Sequence, residues 1–441
     1  MLRAGFEIIM HDRLRRLRAT EAIYAATKEP AAIRARQLER LNRNWTRAWQ
    51  EIPFYQAWRA RHSLPDAIGS LEELADFPVL TKTDIQENAE LVARTPGATR
   101  TTLTGGTSGL STAFPMNDQD ARSAWTNSFV GRGWGGVRPY DRLFIIWGHS
   151  HLFGGRGVAR KRAVRAFKDR MLNVRRVSAY NLDDASLQRI AASLEAFRPA
   201  YIIAYGSSLM HLCAHAEAAG LSFAHIGTKR VVNTSESIQP EEARRVSTLF
   251  GCPVVNEYGM SEAGVIGYSC DDLFPIRVLW HDYIVQTRER RLLVTTIGER
   301  CFPLFHYDTE DLCPDSHARD EALLSLSGLL GKARDVFRIV DRNGRSQEVS
   351  TFLFDHILKQ IQTLRSLHFE LRADGVVLIK YTAAADAPDP DAIFRRLEQG
   401  LRLEGIEVER SRFAFERIER PLQTVAGKRR TLQVQAGTDD E

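Results

Sequence analysis

"TTLTGGTSGLSTAFP", residues Thr101 to Pro115, sets three glycines among threonines and serines in an otherwise ordinary stretch. Glycine lets a backbone come close to a partner and take positive φ, and clustered hydroxyl and amide donors suit phosphate oxygens. The segment therefore reads as a phosphate cradle, with a plain surface loop of the same composition as the competing reading. Two standard nucleotide motifs are excluded: the chain has no G-x-x-x-x-G-K-[ST] loop, and no G-x-G-x-x-G opens a helix after a strand.

Outward from that loop, 441 residues with 44% hydrophobic and 26% charged side chains specify a globular chain with room for more than one core. No apolar run reaches membrane-spanning length, and the start, "MLRAGFEIIMHDRLRRLRAT", is broken by Glu7, His11 and Asp12, which predicts an amphipathic helix and not a signal peptide. The cysteines, Cys213, Cys252, Cys270, Cys301 and Cys313, are dispersed, odd in number and without C-x-x-C, so thiols in a reducing cytoplasm are expected. The net charge of +5 is unevenly placed. Between Arg156 and Arg176 nine basic residues face the single acid Asp169, and Val164, Phe167 and Met171 recur at helical spacing. This basic helix is either a solvated face or a landing surface for an anionic partner. Neither nucleic acid nor an integral membrane segment is expected as the main partner.

From about residue 140 to 260, short apolar runs alternate with helical patterns, the mark of an α/β domain. Strands are predicted at Arg142 to Gly148, Ala200 to Gly206, Arg230 to Asn233 and Pro253 to Gly259, with helices at Ser186 to Phe197 and from Pro240 to a stop at Gly251. After about 275 the pattern changes to hairpins, two of them marked by Asn343-Gly344 and Asp374-Gly375. The last hundred or so residues read as a compact α+β domain. The predicted organisation is a large N-terminal domain, 1–331, with mixed sheets and helices, and a small C-terminal domain, 332–441, divided near "GKARD" (Gly331 to Asp335).

Three later segments give the loop its meaning. "NEYGMSEAG" (Asn256 to Gly264) offers an aromatic, a glycine, a hydroxyl and a carboxylate, a set fit to stack a base and hold a metal ion beside phosphates. "FHYDTEDL" (Phe305 to Leu312) supplies an aspartate suited to a ribose diol, and "QTVAGKRRT" (Gln423 to Thr431) places a lysine in a glycine-led stretch.

This succession resembles the adenylate-forming superfamily of acyl-CoA synthetases, nonribosomal adenylation domains and luciferases. Within it the chain is most similar to the phenylacetate-CoA ligase branch and its capsule-biosynthesis relatives. "IPFYQAW" (Ile52 to Trp58) and "LEELADFPVLTKTDIQEN" (Leu71 to Asn88) resemble that branch's N-terminal segments. The resemblance implies that Thr104, Gly105, Gly106, Thr107, Ser108 and Gly109 form the loop that holds the β- and γ-phosphates of ATP, with Ser111 where the family usually has proline. It assigns Tyr258 to adenine stacking with Gly259 beside it, Ser261 to a phosphate contact, Glu262 to Mg²⁺, and Thr234, Ser235 and Glu236 to the adenine lining. Asp311 matches the ribose aspartate, preceded by Glu310 where glycine is usual. Lys332 stands in the place of a hinge arginine, with Asp335 as the hinge itself, and lysine lacks arginine's planar fork. Lys428 matches the catalytic lysine of a mobile C-terminal domain, and Thr104 and Glu262 complete the implied catalytic set.

The implied reaction joins a carboxylate to the α-phosphate of ATP, expels pyrophosphate, and passes the acyl group from its adenylate to an acceptor. Coenzyme A is the expected acceptor, an amine or other acceptor is the alternative, and a non-catalytic nucleotide-binding homologue is the third reading. The acid is expected to be aryl or short acyl, with Trp147, His149, His151, Phe153 and Tyr205 lining its pocket. The two close histidines also raise a metal site, which no neighbouring cysteine or acid supports.

Overall fold

The apolar runs of the middle third become one sheet. In the computed structural model, which describes residues 2–103, 112–147, 158–179, 182, 184–313, 323–329, 331–332, 336–342, 344, 346–350, 354, 357–358, 361, 363–372, 374–383, 388–403, 406–419 and 432–434, eight strands stand side by side. Their order is Ser325–Leu326, Ile276–Val278, Gly264–Tyr268, Val254–Met260, Arg230–Thr234, Tyr201–Ala204, Leu143–Trp147 and Val174–Ser178. The last five pair in parallel, and the first three add antiparallel. Taken in chain order, the parallel strands run 2-1-3-4-5 across the sheet. The order therefore reverses between Leu143–Trp147 and Tyr201–Ala204, and a crevice opens at the carboxyl ends of strands where such a reversal occurs.

The middle of the sheet is apolar because both faces are covered. Ile202, Ala204, Val231 and Phe144 are buried against helices Asp184–Phe197, Gly206–Ala218 and Pro240–Phe250, while Tyr201, Ile203, Val232 and Val255 face the core that holds Tyr268 and Tyr283. The strand expected to reach Gly206 stops at Ala204, and Gly206 starts the next helix. A Cβ on Gly206 would lie 3.1 Å from the Ser237 carbonyl oxygen and 3.2 Å from Asn233 Oδ1. Glycine lets the helix begin this close to the neighbouring strand without crowding either group. The other expected middle elements are found at Leu143–Trp147, Asp184–Phe197, Arg230–Thr234, Pro240–Phe250 and Val254–Met260, and Gly251 ends its helix at φ +65°.

The N-terminal segments pack beneath the site. Helices Pro30–Glu51 and Pro53–His62 bury Trp45, Phe54 and Tyr55. Trp45 meets Tyr55, Phe77 and Phe305 edge-on at centroid distances of 6.2, 5.1 and 5.1 Å, and the Tyr55 hydroxyl donates to the Pro303 carbonyl. Farther on, Leu80 N–H donates to the His306 carbonyl (3.1 Å) and Asp308 N–H to the Leu80 carbonyl (2.9 Å). "PVLTK" is thus fastened along the start of strand Tyr307–Leu312.

Two compact units divide the chain: Met1–Thr309 with Cys313–Leu329, and Glu310–Leu312 with Leu330–Glu441. The second contains the hairpin Val336–Val340 with Ser346–Ser350 and a four-stranded sheet in the order Phe413–Arg417, Val377–Ala383, Leu364–Leu371, Leu432–Val434. Its core gathers Phe354, Phe369, Ile379, Ile393, Leu397 and Phe413. The α/β class read from the sequence holds for the chain, and among the described residues no helix is long and apolar enough to cross a membrane.

Glu310 carries φ +62°. The backbone therefore keeps, with a glutamate, the left-handed conformation that glycine takes without cost. An L-residue pays about 1–2 kcal/mol for it. Glu310→Gly is expected to leave stability unchanged or raise it by up to about 1 kcal/mol, and Glu310→Val to lower it by about 1–2 kcal/mol. Denaturant midpoints of the three proteins check the order, and a Gly variant less stable than Val would contradict it.

Candidate active site

The loop that opens the sequence argument is held by described arms. Strand Arg100–Leu103 pairs antiparallel with Ala113–Met116 in the register Leu103 to Ala113. Thr104, Gly105, Gly106, Thr107, Ser108 and Gly109 lie outside the described residues, as do His149, His151, Phe153, Asp335 and Lys428. Thr112, just past the loop, is buried, and its hydroxyl accepts from Gln86 Nε2 at 2.8 Å.

Gln86 belongs to helix Lys82–Glu87, started by a capping box in which the Thr81 hydroxyl accepts from Asp84 N–H and the Asp84 carboxylate accepts from Thr81 N–H. The cap fixes Lys82 at the first turn. Its ammonium stands 4.0 Å from Glu262 Oε1. The same oxygen accepts from the Tyr307 hydroxyl at 2.9 Å, and Phe114, on the loop's outgoing arm, meets the Tyr307 ring edge-on at 6.3 Å. Loop arm, "PVLTK" segment, strand Tyr307–Leu312 and Glu262 therefore converge on one carboxylate. The main chain there is locked as well. Arg300 donates to the Glu262 carbonyl (3.2 Å) and to the Tyr283 hydroxyl (3.0 Å), which donates to the Ala263 carbonyl (2.7 Å).

Glu262 lies in the middle of the turn between antiparallel strands Val254–Met260 and Gly264–Tyr268. The register shifts between Tyr258 and Gly259, and a Cβ on Gly259 would lie 2.5 Å from the Gly264 carbonyl oxygen. Glycine is required for that close approach, and bulges of this kind re-aim side chains beside sites. Tyr258 is half-buried against the core, and Ser261 is exposed in the turn. Behind them, the Glu257 carboxylate accepts from Arg132 (3.1 Å), from the Tyr268 hydroxyl and from the Thr234 hydroxyl (3.3 Å). Burial works against the Arg132 cation, but the charges of its neighbours, Glu257 among them, outweigh it and hold its pKa above the ordinary arginine value. Removing one partner of so buried a pair costs several kcal/mol, about 3–5.

Thr234 ends its strand buried, Ser235 follows at φ +66°, and the Glu236 carboxylate accepts from Ser207 N–H at 2.9 Å. Glu236 thus caps the helix that begins at Gly206, where a carboxylate also meets the helix dipole. At the strand reversal, Trp147 and Tyr205 place their rings 4.4 Å apart at 37°. In the second unit, Asp311 is buried and sits opposite Lys332 in the pairing of their strands.

Sequence and shape comparisons find relatives and structural neighbours among known CoA ligases. No family model matches the chain. The phenylacetate-coenzyme A ligase of Pseudomonas putida is 22% identical over 339 residues, 72% of this chain and 72% of its own length. The Escherichia coli enzyme of the same name is 22% identical over 359 residues, 75% of this chain and 78% of its own. The crystal structure of a 2-hydroxyisobutyryl-CoA ligase, in the postadenylation state with 2-HIB-AMP, superposes with a TM-score of 0.65 at 18% identity, covering 92% of this chain and 89% of that one. These likenesses support the adenylate-forming superfamily for this chain.

The chain's class is that of the AMP-forming acid ligases. For an adenylate-forming ligase the sequence reading missed four side chains that the fold brings to the site's edge. Lys82 and Tyr307 lie in quoted segments whose value was read elsewhere, and Glu257 and Arg132 carry a signal only in their pairing across 125 residues. Among the described residues no group of three or more His, Cys, Asp or Glu forms a metal cage. The donor set still fits Mg²⁺, which binds through one or two carboxylates together with substrate phosphates and water. Glu262 supplies one such carboxylate, oriented by Tyr307.

Proposed function

We propose that this ligase activates an aryl or short acyl carboxylic acid with ATP and passes the acyl group to the thiol of coenzyme A. The observation that carries the reading is the convergence on Glu262 of Tyr307, Lys82 and the arms of the hydroxyl-rich loop. A carboxylate is a poor electrophile because its leaving group would be oxide. Attack on the α-phosphate expels pyrophosphate and gives a mixed anhydride whose leaving group is AMP.

In this reading the side chains bind and neutralise, since positioning and charge carry most of phosphoryl-type transfer. Loop residues Thr104 to Gly109 hold the departing phosphates, and Lys82 adds a cation beside them. Glu262 would hold Mg²⁺, which would supply charge neutralisation for the phosphates. Tyr258 stacks the adenine, Thr234 and Ser235 line it, Ser261 meets a phosphate, and Asp311 takes the ribose hydroxyls. Trp147, tilted against the buried Tyr205 where the strand order reverses, offers the acid an aromatic wall. The second unit brings Lys428 to the carboxylate and α-phosphate, turns about Asp335, and leaves room for the thiol. The cytoplasm is the compartment of this reading, which the five cysteine thiols support.

Asp311→Ala is expected to weaken ATP binding by roughly ten- to a hundredfold, from loss of charge-assisted hydrogen bonds worth about 1.5–3 kcal/mol. Affinity for the acid should stay unchanged. Calorimetry with ATP and with the acid separates the two, and unaltered ATP affinity would remove Asp311 from the site. For the acceptor, coenzyme A should consume the adenylate faster than hydroxylamine or other amines do. The reverse preference would favour an amine acceptor.

A further inference from the structure

Among the described residues six large apolar side chains stand exposed, and five of them belong to one region: Ile8 (78%), Ile9 (69%), Val164 (48%), Phe167 (67%) and Leu172 (36%). Helix Leu2–Ile9 lies against helix Val158–Met171, and Phe6 pins the first helix by packing on Tyr140 with ring centroids 5.0 Å apart. The two helices are therefore neighbours, and both carry exposed apolar side chains. Scattered exposed apolar residues need no explanation, but a concentration of them does.

The same region carries the chain's strongest charge imbalance. Nine Lys and Arg fall between Arg156 and Arg176. Their single acid, Asp169, is already taken by Arg176 Nε at 3.0 Å. Lys168, Arg170 and Arg175 are exposed. Val164, Phe167 and Met171 share one side of their helix by spacing, and Lys168 follows directly on Phe167.

We propose that this face docks on an anionic lipid bilayer surface. Apolar side chains entering the headgroup boundary, with basic side chains around them, are the chemistry of an interfacial helix. The combination selects among partners. A nucleic acid rewards the charge and gives isoleucines and phenylalanine no place. A second copy of this face rewards the apolar residues and meets an equal excess of positive charge. An anionic lipid surface answers both features at once. The ligase would then work beside a membrane without crossing it.

The test is co-sedimentation of the full chain with vesicles of phosphatidylcholine alone and of phosphatidylcholine mixed with phosphatidylglycerol. Binding is expected to the mixed vesicles at low salt, with little to the neutral ones, and a large loss at about 1 M NaCl, where the Debye length is roughly 3 Å. Ile9→Ser combined with Phe167→Ser should weaken binding at least tenfold, with the melting temperature and pyrophosphate exchange unchanged. Should that pair disturb folding, Lys168→Gln with Arg170→Gln tests the charge alone, at about a fivefold loss per residue. The proposal falls if mixed vesicles do not bind, if neutral vesicles bind equally, or if folded variants bind like the parent. It also falls if sedimentation equilibrium shows the apolar variant turning a dimer into a monomer, or if the chain retains polyuridylate and no vesicle.

Discussion

Glu262→Gln should lower adenylate formation by about 10²-fold or more while the protein stays folded, because one preorganised charge at a transferring phosphate is worth that much. The carboxylate is nearly enclosed, with its side chain 5% exposed, and Tyr307 donates to it. Glutamine keeps an oxygen to accept that bond and loses the negative charge. The Mg²⁺ concentration for half-maximal pyrophosphate exchange should therefore rise, and excess Mg²⁺ should recover part of the rate. Arg300 bonds to the Glu262 carbonyl and not its side chain, so the turn should hold. An unchanged Mg²⁺ dependence would remove Glu262 from the metal.

Lys428→Ala carries the other large effect, about 10²–10³ in rate. Its ammonium is proposed to neutralise charge where carboxylate and α-phosphate meet, an interaction stronger in the transition state than in the ground state, so kcat for pyrophosphate release should fall. Transfer from a chemically supplied acyl-adenylate to coenzyme A should run close to the parent rate. In sequence Lys428 lies before strand Leu432–Val434, which pairs in parallel with Leu364–Leu371, and the variant's melting temperature checks that the protein stays folded. Equal loss in both half-reactions would reassign Lys428 to nucleotide binding or to structure.

How far the sequence carried this account depends on what kind of signal each element leaves. Four of the five parallel strands are short apolar runs between punctuated helices and were legible, because burial on both faces writes itself into consecutive side chains; the fifth, Val174–Ser178, stands at the sheet's edge with two arginines in it and was read into the basic helix. The order 2-1-3-4-5 was not legible, since strand neighbours are chosen by packing that no local pattern records. Gly206 was read into a strand because the apolar run reaches it, and only the nearness of Ser237 and Asn233 explains why a helix starts there. The site divides in the same way. Asp311, Tyr258 and Glu262 belong to contiguous motifs and were named from them. Lys82 meets Glu262 across 180 positions, and Arg132 meets Glu257 across 125. Such pairs leave no trace in one sequence. Glu310 shows the opposite case: the residue type departs from the family pattern, while its φ of +62° is a conformation that glycine takes without cost.

The central claim, activation of a carboxylic acid through its adenylate, is tested most directly by ATP–pyrophosphate exchange against a panel of aryl and short-chain acids, with the products read by mass spectrometry. The account expects exchange that depends on one group of acids and on Mg²⁺, with the mass of the matching acyl-AMP in the same mixtures. ATP binding without exchange or acyl-AMP for any acid would contradict it, and would leave a nucleotide-binding protein on this fold.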